Sequence, residues 1–231
     1  MSESNTEYRQ QRFAAPPGAT ELILIRHGES RAASPDAPFP LVDGQGDPEL
    51  HANGHAQALR VADRLKPEPI SAIYVTNLQR TAQTAAPLSE QLGLEPRVEP
   101  DLREVHLGDW EGGLFRIKAA QQDPVYLRMH EQERWDVIPG AESHDALTNR
   151  IQPALLRIAH RHPDECVAAV VHGGVIAHIL ALAAAARPFA FMGAENGSIS
   201  RLILHEQRML VRGFNDVAHL SDLASGSQGL S

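Results

Sequence analysis

The chain has 231 residues, 42% hydrophobic and 22% charged, which excludes a disordered or fibrous polypeptide and suits one α/β domain burying roughly three-quarters of its unfolded surface. A net charge of -8 repels nucleic acid and anionic lipid, so an anionic substrate has to be drawn by a local basic cluster. The single cysteine, Cys166, excludes an intrachain disulfide and a thiolate cage for zinc, and it points to a reducing, cytoplasmic compartment.

Residues 1–18 are polar, end in Pro-Pro-Gly and lack the apolar run of a secretory signal, so they read as a flexible arm ahead of a single domain over 19–223. Leu22-Ile23-Leu24-Ile25 is the first of three short apolar runs that end abruptly in polar residues or glycine; the others are 70–75 and 167–171. Runs apolar on both faces suit central strands of a parallel sheet covered by helices on each side. Helical patterns follow each one. Asn53 is the expected cap of a helix running to Leu65. Thr76 or Asn77 opens one through Gln91 that Gly93 ends, and Ser143 starts an amphipathic stretch towards His160 with Pro153 inside it. Residues 174–186 form an almost wholly apolar helix stopped by Pro188. The apolar stretch 167–192 is interrupted by His172, His178, Arg187 and Pro188, which argues against a membrane span. Residues 201–204 and 209–212 read as an edge hairpin, and 224–231 as a flexible Ser/Gly-rich tail. The expected fold is α/β, a three-layer α/β/α sandwich with a mostly parallel central sheet and right-handed crossovers.

In such sheets ligands bind beyond the carboxyl ends of the strands, where loops run into helix N-termini. The three strands end in Arg26-His27-Gly28-Glu29-Ser30, Thr76-Asn77-Leu78-Gln79-Arg80 and His172-Gly173-Gly174. Taken singly, His27 and His172 read as turn residues and Arg80 as a surface helix residue. Together they bring two arginines and two histidines to one edge, with glycines that allow close backbone approach, and arginine forks match the oxygens of a phosphoryl group.

Arg26-His27-Gly28-Glu29-Ser30 resembles the signature of the histidine phosphatase superfamily, with its phosphoglycerate mutase-like fold. The resemblance continues through Asp47-Pro48-Glu49-Leu50, Gly54-His55-Ala56-Gln57-Ala58, the run from Asn77 to Ala85, Leu102-Arg103-Glu104, Gly108-Asp109-Trp110-Glu111-Gly112, Pro139-Gly140-Ala141-Glu142-Ser143 and Val171-His172-Gly173-Gly174, spanning about residues 20–220 in the family's order. It implies that His27 is the nucleophile, that Arg26, Arg80 and His172 hold the phosphate with Ser30 and Gly173 beside them, and that Glu104 is the proton donor, with His172 counted among the catalytic residues. The chemistry asks for the same residue types. A neutral imidazole nitrogen attacks phosphorus, cations stabilise the transferring group, and an acid raised in pKa by the phosphate dianion and partial burial protonates the leaving alkoxide. No metal or cofactor enters this scheme. His51 and His55 have a spacing that could hold zinc, but no companion ligand follows. His130, His144, His160 and His162 read as solvated, and Trp110 as either a core anchor or a substrate contact.

Two features depart from the pattern. Many members carry an asparagine shortly after the first motif, where Arg31-Ala32-Ala33-Ser34-Pro35 stands here, so that polar contact is either missing or supplied from elsewhere, with Ser30 and Asn196 as candidates. The rim segments 31–46 and 113–135 carry no specificity code, although Arg116, Lys118, Arg128 or Arg134 could meet a second anionic group. Three functions follow: a phosphatase acting on a small phosphorylated metabolite, a mutase returning the phosphoryl group to another hydroxyl, and a non-catalytic phospho-ligand binder. The phosphatase is favoured, because the mutase requires water to be excluded by a longer lid and tail, and a binder has no need of Glu104. Neither nucleic acid nor membrane is an expected partner, and a homodimer is compatible with the sequence.

Overall fold

A computed structural model describes residues 7–224, so positions 1–6 of the expected arm and 225–231 of the expected tail lie outside the described residues. Residues 7–16 run without helix or strand, and Phe13 lies under the Arg212 guanidinium at 3.9 Å.

The apolar runs form β1 (Thr20–Arg26), β4 (Ile70–Val75) and β6 (Cys166–Val171). With the two-residue β5 (Arg97–Val98) and the hairpin of β7 (Ile199–His205) and β8 (Arg208–Asp216), they make a six-stranded sheet ordered β5-β4-β6-β1-β7-β8. The first four strands are mutually parallel, and the hairpin closes one edge in antiparallel fashion. Alternation explains the doubly apolar runs. Ile23 and Ile25 face one core layer with Val61, Leu65 and Leu88 from α1 (Ala52–Leu65) and α2 (Gln79–Leu92). Leu22 and Leu24 face the other, with Leu155, Ile158, Ile176 and Leu180 from α5 (His144–Arg161) and α6 (Gly173–Ala184). Each such fully buried side chain contributes about 1.5–3 kcal/mol. The result is the expected three-layer sandwich.

Between these layers lie elements that the apolar pattern did not indicate. Asp43 and Gly44, at φ 48° and 80°, turn β2 (Leu41–Val42) into β3 (Gln45–Gly46), the left-handed pair that an Asp-Gly hairpin turn requires. Two short helices, α3 (Leu114–Ala120) and α4 (Pro124–Gln132), cross the mouth of the sheet, and a final turn of helix, α7 (Ser221–Ala224), follows β8.

The helix boundaries correct two expectations. Asn53 is not the cap of α1: His51 Nδ1 accepts from the Asn53 amide at 3.4 Å, while Asn53 Nδ2 donates to Glu29 at 3.2 Å. Neither Thr76 nor Asn77 opens α2. Its first amide, Gln79 N, donates to Asp47 Oδ1 at 2.8 Å, a carboxylate delivered from the loop after β3. Ser143 caps α5 and Gly93 ends α2 with φ 65°, as expected. His162 is also corrected: it is 4% exposed, with Nδ1 2.6 Å from Glu165 and Nε2 3.2 Å from the Tyr74 hydroxyl. His144 is half-buried, its ring 4.5 Å from that of His178, whereas His130 and His160 are exposed.

His178 lies on α6 with Nε2 3.1 Å from Thr148 Oγ1, and burial pushes its imidazole down to about 4, with His144 and Arg150 adding to the push and Glu142 opposing it. A histidine kept neutral in the fold but free to protonate near 6.5 when unfolded removes stability as pH falls through that interval. His178 alone is therefore expected to lower stability by about 3 kcal/mol by pH 4. Denaturant midpoints followed from neutral pH to pH 4 should fall more steeply for the parent than for His178→Leu; parallel curves would contradict the assignment.

Candidate active site

The sheet brings the carboxyl ends of β1 and β6 side by side, because the His27 amide donates to Val171 O at 3.0 Å and continues their ladder by one residue. The chain turns at once into Gly28, whose α-carbon lies so close to α1 that a β-carbon would come within 2.5 Å of Gly54 O. That turn sets the imidazole. His27 Nδ1 lies 2.7 Å from Gly28 O, a main-chain acceptor, so Nδ1 carries the proton and Nε2 presents a lone pair. Arg80 Nε–H donates to that nitrogen at 3.2 Å. His27 is only 4% exposed, and burial, followed by the charges of Arg80 and Arg26, holds its pKa well below the ordinary histidine value. It is neutral at pH 7.

Arg80 enters from the first turn of α2, whose start is fixed by Asp47; its Nη1 donates to Gly46 O at 2.9 Å and lies 3.8 Å from Asp47 Oδ1. Burial pushes its pKa down to about 10, which leaves it charged at neutral pH. Arg26 donates through Nη1 to Ala194 O, while its buried Nε has no hydrogen-bond partner among the described residues and faces Gly173, where a β-carbon would stand 3.2 Å away. His172 is fully buried beside His27, ring centroids 5.2 Å apart; its Nε2 meets Thr76 Oγ1 at 3.0 Å and its Nδ1 has no hydrogen-bond partner among the described residues. Burial and Arg80 hold it, too, well below the ordinary histidine range.

Arg26, His27, Arg80 and Glu104 line one cavity of about 230 Å³. Glu104 Oε1 accepts from the Val105 amide at 2.9 Å, and Oε2 lies 3.5 Å from the Gly174 amide at the start of α6. A β-carbon at Gly174 would come within 2.7 Å of Glu104 Oε1, so the second glycine of His172-Gly173-Gly174 makes room for the acid. Trp110 belongs to the core and also lines the cavity wall.

Of the other expected residues, Asn196 does not line the cavity; its Nδ2 donates to His27 O at 2.9 Å and braces the backbone there. Ser30 is buried and accepts from Arg116 Nη2 at 2.8 Å. Of the four rim cations, Arg116 lines the cavity, whereas Lys118 and Arg134 pair with Asp123 and Asp136, each at 2.8 Å. The Arg116 guanidinium lies 5.2 Å from the Phe39 ring centroid, and Phe39 packs against Gly113. Sequence reading missed Asp47, Thr76 and Gln45 as parts of the site. Asp47 lay within a segment that carried the resemblance, but no local pattern pairs it with α2 across 32 residues.

A parallel α/β sheet with a neutral imidazole and two buried guanidiniums at its carboxyl edge defines a site for a transferable oxyanion. The chain belongs to the histidine phosphatase superfamily, branch 1, whose family model matches residues 22–217. A metal-independent phosphoserine phosphatase of Arabidopsis thaliana is 32% identical over 216 residues, covering 91% of this chain and 87% of that protein. Phosphoglycerate mutase-like protein 4 of the same plant is 36% identical over 219 residues, covering 90% and 92%. Among solved structures, a mycobacterial glucosyl-3-phosphoglycerate phosphatase superposes with a TM-score of 0.72 at 29% identity, covering 85% of this chain and 99% of that one.

Inorganic phosphate, titrated calorimetrically, is expected to bind the parent and to bind Arg80→Gln about 30-fold more weakly, the loss of one charge-assisted contact. Equal affinities would remove Arg80 from the anion site.

Proposed function

We propose that this chain is a phosphatase that hydrolyses small phosphomonoesters through a phosphohistidine on His27. The observation that carries the reading is the unprotonated Nε2 of a desolvated, neutral His27, which accepts from Arg80 Nε–H, with Glu104 on the wall of the same cavity. In the first step Nε2 forms a bond to phosphorus as the ester P–O bond breaks, and Glu104 gives its proton to the departing oxygen. Arg26 and Arg80 balance the charge on the phosphoryl oxygens, and the neutral His172 can add only a hydrogen bond from Nδ1. Water then attacks the phosphohistidine, Glu104 takes its proton, and phosphate leaves with His27 neutral again. The arginines supply the charge that a metal supplies elsewhere, so the reaction is expected to persist in chelator.

Arg116 extends the reading to substrate choice. Its donors rest on neutral acceptors, Ser30 Oγ and Arg31 O, and its guanidinium is pre-set on Phe39, an arrangement suited to a second anionic group on the ester. Both phosphatase relatives are named for esters that carry a carboxylate, which supports phosphorylated hydroxy acids as the substrate class. Among the described residues no helix is long and apolar enough to cross a membrane, and Cys166 is buried; a cytoplasmic setting is part of the proposal.

Rapid quenching after mixing with a labelled phosphomonoester should give an acid-labile, base-stable phosphoprotein and free phosphate, and His27→Ala should give neither. Continued hydrolysis by His27→Ala would end the mechanism, and label passing to 3-phosphoglycerate faster than to water would favour the mutase. Arg116→Ala should raise KM for phosphoserine by about tenfold while sparing an uncharged alkyl phosphate; equal effects on both would remove Arg116 from substrate choice.

A further inference from the structure

Glu104 sits on a segment with no helix or strand of its own, between the 3-10 turns Pro100–Leu102 and Gly108–Trp110. An acid that must meet a leaving oxygen within about 0.5 Å cannot rely on so irregular a stretch alone. Arg150 makes most of the side-chain contacts to the segment, and Gln45 Nε2 adds one to Glu104 O at 2.6 Å. Arg150, in the second turn of α5, uses all five of its N–H donors: Nη1 donates to Asp101 O at 2.7 Å and to Arg103 O at 2.8 Å, Nη2 to Glu104 O at 2.9 Å and Glu142 Oε2 at 2.9 Å, and Nε to Glu142 Oε1 at 2.7 Å. Glu142 completes the clamp. Its Oε2 accepts from the His106 amide at 3.2 Å, and its own amide donates to His106 O at 2.9 Å. Both side chains are largely buried, at 11% and 13% exposure, and against the upward push of burial the Arg150 fork keeps the Glu142 carboxyl below its ordinary value.

Five backbone groups of residues 101–106 are thus tied to one ion pair anchored on α5, a helix packed against the sheet. We propose that Arg150, oriented by Glu142, is a positioning residue that sets the Glu104 carboxyl against the leaving-group oxygen. The proposal rests on Glu104 being the general acid. Arg150 itself touches neither substrate nor His27. A lysine offers three donors without the planar fork, so it cannot reproduce three carbonyl contacts and a bidentate carboxylate pair at once. As the P–O bond breaks, the electron pair stays on the ester oxygen and the Glu104 proton joins it; a displaced carboxyl leaves an alkoxide to depart unprotonated. A leaving group that is already a stable anion does not need that proton.

The test is phosphoenzyme formation in a single turnover, measured with glycerol phosphate, a poor leaving group, and with 4-nitrophenyl phosphate, a good one. Glu104→Gln should lower the glycerol-to-nitrophenyl rate ratio by about 100-fold or more. Arg150→Lys should lower the same ratio by about 100-fold, the effect of displacing a catalytic group by an ångström. Glu142→Gln, which keeps the arginine, should shift it in the same direction and serves if Arg150→Lys does not fold. A Glu104→Gln ratio equal to the parent's would overturn the acid reading and the proposal with it. A low ratio for Glu104→Gln with parental ratios for the two clamp variants would overturn the positioning role alone. So would equal losses on both substrates, which mark a purely structural contact.

Discussion

The hydrogen bond from His27 Nδ1 to the Gly28 carbonyl is the contact on which the site depends. A buried imidazole flanked by two guanidiniums would turn either nitrogen towards solvent if nothing held it, and the wrong tautomer would offer a proton where an electron pair is needed. The carbonyl settles the choice, and it is available only because Gly28 turns the chain against Gly54 at a distance no side chain allows. Burial and positive charge act on the same atom in the same direction, since both disfavour imidazolium. The protonation state of His27 is therefore a property of the fold around β1.

The empty site carries an electrostatic burden. Arg26 and Arg80 are largely removed from water, and Arg80's partners are His27 Nε2, a main-chain carbonyl and one carboxylate at 3.8 Å, fewer than its donors can serve. The unpartnered Nε of Arg26 and Nδ1 of His172 lie in the same region. A phosphoryl dianion supplies acceptors and negative charge together, which makes binding in this family a relief of buried cations as well as a gain of contacts. Asp47 offsets part of the burden and at the same time caps α2, so the helix start and the position of Arg80 are fixed by one carboxylate.

The layers were legible in the sequence because β1, β4 and β6 are covered on both faces, and continuous apolar runs leave little choice of element. Ser143 and Gly93 were legible for a local reason: a cap hydroxyl and a left-handed terminus act within a few residues. The failures share the opposite cause. The cap of α2 comes from 32 residues away, which releases Thr76 to bind His172 and leaves the local capping rule without meaning there. Polar context made His162 look solvated, but Tyr74 on β4, 88 residues away in the chain, covers it together with the nearby Glu165. In the site, Arg26, His27, Arg80 and Glu104 could be named from their motifs, whereas Arg116 could not be separated from three other rim cations until its contact with Phe39 and Ser30 was visible.

Nitrogen-15 spectra of histidine-labelled protein test the central claim most directly. His27, identified by comparison with His27→Gln, should show a protonated Nδ1 and an unprotonated Nε2 throughout the range from about pH 5 to about pH 8, where a solvated histidine titrates. An imidazolium at pH 6, or a proton on Nε2 at any pH in that range, would contradict the account.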